Sequence, residues 1–183
     1  MSNENIHINN RTIYFADDVC SNTIGKACAE ILKIIKEDDE KDISQKNYKR
    51  KPINLFIQSE GGSVYAAWSL IDIIENSKTP INTYCTGYAM SAGLKIFLAS
   101  HKRYCTRHAT FMYHQMYSYR QGKYQDLVED WEQLDYLNKQ NEEYVLERTK
   151  ITKERLEEVK QKKIDWYIHP EEALELGIVD EII

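Results

Sequence analysis

The sequence predicts an α/β protein with a mainly parallel sheet and a long helical projection. Three observations carry that reading. Short apolar runs alternate with helical stripes as far as residue 115, and strand–helix–strand order implies parallel strands joined by crossovers. Glycine-marked turns at Gly61-Gly62 and Gly87 each separate an apolar run from a helical stripe. From Tyr124 to about Lys150 the pattern changes to one long helical period.

Each element follows from local pattern. Residues 11–15 read as the first strand. From Thr23 a stripe of Ile24, Ala27, Cys28, Ile31, Ile34 and Ile35 predicts a helix, with Ser21 as its N-cap. Residues 37–51 hold ten charged residues in fifteen, with Ile43 and Tyr48 the only large apolar ones, which predicts a solvated loop or mobile insert. Pro52 introduces an apolar run at 53–57, a strand buried on both faces. After Gly61-Gly62 comes a second stripe, Val64, Ala67, Trp68, Ile71 and Ile74. Pro80 opens a third strand at 81–86, Gly87 starts a turn, and residues 91–100 read as helix. Short strands follow at 104–106 and 110–113.

The long helix offers Leu127, Trp131, Leu134, Leu137, Tyr144 and Val145 as contacts. Thr152 caps a further helix carrying Leu156 and Val159, and 164–168 is a short strand. Pro170 and Gly177 bracket a last helix, since proline suits the first turn and glycine the exit. No repeat or linker divides the chain. It reads as one domain over 1–183, with 10–115 and 164–183 as a head and about 116–163 as the projection.

The chain has 183 residues, one domain by the usual ~100–200, and needs no disulfide or metal staple to hold a core. No apolar run nears the ~18 residues of a membrane span; the richest, 92–99, is broken by Lys95. The first residues lack a basic and an apolar signal region, so the expectation is a cytoplasmic protein without membrane contact. A net charge of -5 argues against a general nucleic-acid binder. The four cysteines have no metal-type spacing, and three sit in apolar-patterned segments as small core residues. No metal or other cofactor is expected. Six of the thirteen tyrosines fall within 104–136, suggesting a wide contact surface.

Two turns could carry chemistry. In Gly87-Tyr-Ala-Met-Ser91-Ala-Gly93 a serine opens a helix after a strand, which exposes a hydroxyl at the positive end of a helix dipole. Taken alone, a serine in this position is more often a simple N-cap. Ser59-Glu60-Gly61-Gly62-Ser63 follows the preceding strand, and paired glycines there can aim backbone N–H groups into a crevice, or merely turn the chain. In a parallel sheet both turns lie at the edge where ligands bind. Among His7, His101, His108, His114 and His169, only His114 ends a strand at that same edge. Asp165, flanked by Ile164, Trp166, Tyr167 and Ile168, is the candidate orienting carboxylate, with a capping or salt-bridge role as the alternative.

Four segments together resemble the proteolytic subunit of the Clp protease family. They are Ile57-Gln-Ser-Glu-Gly-Gly-Ser-Val64, Gly87-Tyr-Ala-Met-Ser-Ala-Gly93, Met112-Tyr-His-Gln115, and Asp165-Trp-Tyr-Ile-His-Pro-Glu-Glu-Ala173 leading to Gly177-Ile-Val-Asp180. The resemblance implies a ClpP/crotonase-like βαβ spiral whose "handle" helix, here 125–149, interlocks two heptameric rings into a tetradecamer. It implies a serine endopeptidase with Ser91 as nucleophile, His114 as general base and Asp165 orienting the histidine. It also implies backbone N–H groups of Gly61, Gly62 and Ala92 as the oxyanion hole. Substrates would be unfolded polypeptides, delivered by a Clp-type ring ATPase that alone uses ATP.

The chain departs from that family in several places. It has ten residues before Arg11, where the family usually has more, so the ATPase is the less expected partner. Residues 37–51 read as an insert, and Glu60 stands where proline is usual. Gln115-Met116 follows the histidine rather than Gln-Pro, without the glycine pair beyond it. Lys163-Ile164 replaces a common acid–arginine pair. Two other functions compete: a non-catalytic ring subunit that co-assembles with a regular ClpP, and another crotonase-fold enzyme such as an acyl-CoA hydratase or thioesterase.

Overall fold

The computed structural model describes residues 9–183, so His7 lies outside the described residues. The chain begins with strand β1 (Thr12–Phe15), then α1 (Ser21–Ser44), β2 (Ile53–Ser59), α2 (Val64–Glu75) and β3 (Ile81–Met90). It continues through α3 (Ala92–Leu98), β4 (Lys102–Cys105) and β5 (Thr110–Tyr113). The second half holds α4 (Tyr124–Arg148), α5 (Lys153–Lys162), β6 (Trp166–Ile168), α6 (Pro170–Glu175) and β7 (Glu181–Ile182).

β1, β2, β3, β4 and β7 lie side by side in that order, all parallel. Alternate residues of β1 to β3, such as Ile13, Ile53, Leu55, Ile57 and Ile81, are buried against the helices in one core. The opposite face carries a row of aromatic side chains. There, register aligns Tyr14, Phe56, Tyr84 and Tyr104, and their rings stack in a ladder at centroid spacings of 6.1, 4.8 and 4.8 Å. Phe56 is thus buried by neighbouring rings, which is how β2 comes to be apolar on both sides.

β3 changes partners along its length. Residues 82–85 pair with β4 and residues 88–90 with β5. The expected turn at Gly87 is instead continuous strand. Pairing with β2 jumps from Ile57↔Cys85 to Ser59↔Ala89, so the extra residues of β3 are absorbed as a bulge that bends the strand. The reversal comes four residues later, at Ser91.

The charged stretch also differs from expectation. Its first half completes α1, which ends at Ser44 rather than before residue 37. The buried stripe Ile31, Ile34 takes Asp38 as its next member at helical spacing. Asp38 is fully buried and accepts a fork from Arg11 at 3.0 and 2.7 Å. It also accepts hydroxyl bonds from Tyr48 and Thr79, each 2.8 Å. Burial alone would raise the carboxyl's pKa, but the bonds from Arg11, Thr79 and Tyr48 outweigh it and hold the value at about 2. The helix N-cap is Cys20 rather than Ser21, with Thr23 closing back on the Cys20 N–H at 3.1 Å.

Thr152 caps α5 by accepting from the Arg155 N–H, Pro170 opens α6, and Gly177 takes a left-handed φ of 67°. Cys28, Cys85 and Cys105 are buried thiols, and Cys20 is exposed.

Candidate active site

The strand-to-helix junction at Ser91 is strained. Ser91 holds φ 52°, ψ −118° between the end of β3 and the start of α3. A non-glycine residue held in such a region costs about 1–3 kcal/mol and persists only when its surroundings enforce it. Here the Ser91 N–H donates to the Met112 carbonyl at 2.9 Å, tying the turn to β5. Ser91 occupies the N-cap position, yet its side chain accepts no capping bond. The hydroxyl instead lies 2.8 Å from Nε2 of His114. The simple capping reading therefore fails, and Ser91 presents a half-buried hydroxyl on a strand-to-helix elbow.

Strand register explains the rest of the line. β5 and β6 are antiparallel, pairing Phe111 with Ile168, Met112 with Tyr167 and Tyr113 with Trp166. One step further sets His114 opposite Asp165, and Nδ1 of His114 is 3.4 Å from Asp165 Oδ1. That separation is longer than the ~2.7–2.9 Å of a closed charge-assisted bond. Asp165 is not the enclosed acid its neighbours suggest. Its side chain is 55% exposed, against 29% for His114. What holds it is the backbone beside it: Trp166 and Ile168 are buried, and the Arg155 guanidinium stacks 4.2 Å from the Trp166 ring. His101 bonds locally to the Ile81 backbone, and neither His108 nor His169 lines the Ser91 cleft.

The glycine turn splits into two roles. Gly61 is buried, and its N–H donates to Ser59 Oγ at 3.1 Å, so it has no free donor for a ligand. A Cβ at Gly61 would sit 2.8 Å from the Met90 carbonyl oxygen and 2.8 Å from Ser91 Cβ, so glycine there lets two backbones touch. The Gly61 N–H is thus engaged within the turn, where the sequence expectation has Gly61, Gly62 and Ala92 all donating to an oxyanion. Gly62, by contrast, is exposed and lines the cleft containing Ser91. Ala92 is the first residue of α3, where the N–H has no intrahelical acceptor.

The cleft has a volume of about 310 Å³. Sequence reasoning missed several of its walls. Lys95, Asn138, Asn141 and Met116 line it beside Ser91 and His114. Lys95 is 7% exposed, and its Nζ donates to Asn141 Oδ1 at 2.8 Å. Burial lowers its pKa to about 8. The available signal was a lone lysine interrupting an apolar run, four residues after Ser91 and so on the same helix face. Among the described residues, no group of three His, Cys, Asp or Glu side chains could hold a metal ion. No helix of the described residues is long and apolar enough to cross a membrane.

The Clp protease family model matches residues 3–183. The chain is 31% identical to ATP-dependent Clp protease proteolytic subunit 1 of Prochlorococcus marinus subsp. pastoris over 176 residues, 94% of this chain and 83% of the relative. The chain belongs to the Clp protease family. Proteolytic subunit 2 of Synechococcus sp. (strain CC9605) is 29% identical over 94% of this chain and 83% of its own length. Among solved structures, a ClpP1 mutant from Listeria monocytogenes superposes with a TM-score of 0.79 at 22% identity, over 95% of this chain and 91% of that one. That likeness shows the ClpP fold, in accord with the βαβ spiral expected from sequence. Membership makes the chain a peptidase homologue and sets aside the hydratase and thioesterase alternatives.

Proposed function

We propose that this Clp protease family member is a serine endopeptidase that hydrolyses unfolded polypeptides to short peptides. The observation that carries the reading is Ser91 Oγ, on a strained elbow, 2.8 Å from His114 Nε2. As Ser91 attacks the scissile carbonyl carbon, His114 takes its proton at Nε2. Asp165, beside Nδ1, favours the tautomer that leaves Nε2 free and stabilises the imidazolium. The negative carbonyl oxygen then meets the N–H groups of Gly62 and Ala92. His114 returns the proton to the leaving amine, and water repeats the sequence on the acyl-enzyme. No cofactor is required, because nucleophile, base and donors all come from this chain.

Assembly into a cytoplasmic heptameric ring, and stacking of two rings, are part of the proposal. Family membership supports them, as do the exposed aromatic side chains on α4, Tyr124, Trp131 and Tyr136. Delivery by a Clp-type ATPase is supported by relatives named as ATP-dependent proteolytic subunits. The deciding experiment is labelling with a fluorophosphonate serine probe, wild type beside Ser91→Ala. Labelling confined to wild type is expected. A folded, assembled sample that takes no label overturns catalysis and favours the non-catalytic ring subunit.

A further inference from the structure

Lys95 is a cation placed where a cation is expensive. It sits one helical turn past Ser91, with its N–H 3.3 Å from the Ser91 carbonyl. Helical side chains lean toward the N-terminus, so the lysine stem runs back toward the nucleophile's end of α3. Its ammonium carries three donors and no acceptor, and the side-chain acceptor it reaches is Asn141. Asn141 is itself fixed, its amide donating to Met116 Sδ at 2.6 Å.

The carboxylates nearby do not pair with it. Glu142, next to Asn141, forms its ion pair with Lys160 at 3.2 Å. Glu60 is exposed on the cleft wall. Tyr113, which also lines the cleft, has its pKa raised by burial and then by Glu142, and stays neutral. A buried ammonium held by one amide is poorly compensated. A methionine or leucine would bridge α3 and α4 without that cost, so packing alone does not account for the lysine.

We infer that Lys95 makes the pocket beside Ser91 selective for substrates with a carboxylate side chain on the residue whose carbonyl is attacked. This rests on the peptidase reading above. Burial brings the amine to about 8, so it keeps its proton at neutral pH, and an arriving carboxylate supplies the missing countercharge. Val64 and Met116 line the cleft as well and pack on the methylenes of a glutamate. A glutamine of the same shape offers an acceptor but no charge. Charge-assisted bonds are worth roughly an order of magnitude or two over neutral ones, so glutamate should exceed glutamine by about ten- to a hundredfold.

The test has a binding arm and a turnover arm. In the first, Ser91→Ala protein, unable to form an acyl-enzyme, is titrated with N-terminally fluorescent peptides ending in Glu, Gln or Leu, read by anisotropy. The Glu peptide should bind tightest, and adding Lys95→Met should erase its advantage over Gln. In the second, wild-type kcat/KM is measured on peptidyl coumarin amides with the same three residues before the cleaved bond. Equal Glu and Gln affinities, a preference for Leu in both arms, or no binding of the Glu peptide at millimolar concentration overturns the inference. The two readings fail separately. Glu-selective binding without fluorophosphonate labelling removes the peptidase and keeps the subsite, whereas labelling without Glu preference does the reverse. The Glu-against-Gln comparison needs no variant at Lys95, so a misfolded Lys95→Met leaves the question decided.

Discussion

Replacing Asp38 by Asn should destabilise the protomer by about 2.5 kcal/mol or more at neutral pH, and that cost should vanish in acid. Its hydrogen bonds hold the carboxyl at about 2 in the folded chain, below its ordinary value of 3.8. That lowering corresponds to about 2.5 kcal/mol. Asn approximates the protonated acid and also leaves the Arg11 guanidinium, 11% exposed, without its countercharge, so a total of about 3–5 kcal/mol is within reach. Because the folded value lies below the unfolded one, the carboxylate's contribution is complete above about pH 4–5 and is lost as pH falls towards 2. Urea unfolding at fixed protomer concentration, wild type beside Asp38→Asn, should show a gap that closes through this window. A neutral-pH gap below about 1 kcal/mol, or one that does not change with pH, would refute the network's role. Arg11, Lys51 and Thr79 stand at the amino ends of β1, β2 and β3, whereas Ser91 follows the carboxyl end of β3. Fluorophosphonate labelling at low temperature should therefore survive the substitution.

Two further substitutions probe the site. Gly61→Ala puts a Cβ against the Met90 carbonyl and Ser91 at a φ of 104°; labelling should fall sharply and stability drop by about 1–3 kcal/mol, and wild-type turnover would remove the glycine from the elbow's support. Asp165→Asn should leave unfolding nearly unchanged while lowering kcat at least about a hundredfold, less than the ~10⁴ of an enclosed orienting aspartate, because this side chain is half exposed; an unaltered kcat takes Asp165 out of the reaction.

What could be read from sequence was what local pattern controls. The turns around Ser91 and Gly61-Gly62 are legible because small residues cluster where a strand gives way to a helix. His114 and Asp165 are legible as residues at strand ends, and only register shows that they face one another. Polarity misled at residues 37–44, because the buried position after Ile34 is filled by a carboxylate whose partner, Arg11, lies 27 residues earlier. Gly87 looked like a turn, since nothing local announces that β2 can absorb a bulge. Two-residue β7 has no period to detect and forms only because β4 offers an edge. Leu127 and Trp131 were expected as contacts of the long helix, yet both are exposed.

That last departure bears on how the cleft is held. α4 has two unlike halves. Towards its C-terminus Leu137, Asn141, Tyr144 and Val145 are buried, Tyr144 meets Trp68 edge-on at 5.1 Å, and Arg148 donates to the Leu98 and Ser100 carbonyls. Towards its N-terminus Tyr124, Leu127, Trp131 and Tyr136 face outward. Large apolar groups so exposed fit a surface covered by other copies of the chain. Asn138 and Asn141, on the same rigid helix, form part of the cleft wall. In the proposed ring, contacts made by the outer half would fix the pose of residues that line the cleft. Trp131→Ala should weaken self-association by about 30-fold or more, the usual scale for a buried interface tryptophan, and should lower kcat/KM in step with the loss of oligomer. Mass photometry and turnover on one dilution series give both readouts, with circular dichroism to show that the protomer stays folded. Full turnover in a dispersed protomer would break the link between assembly and the cleft.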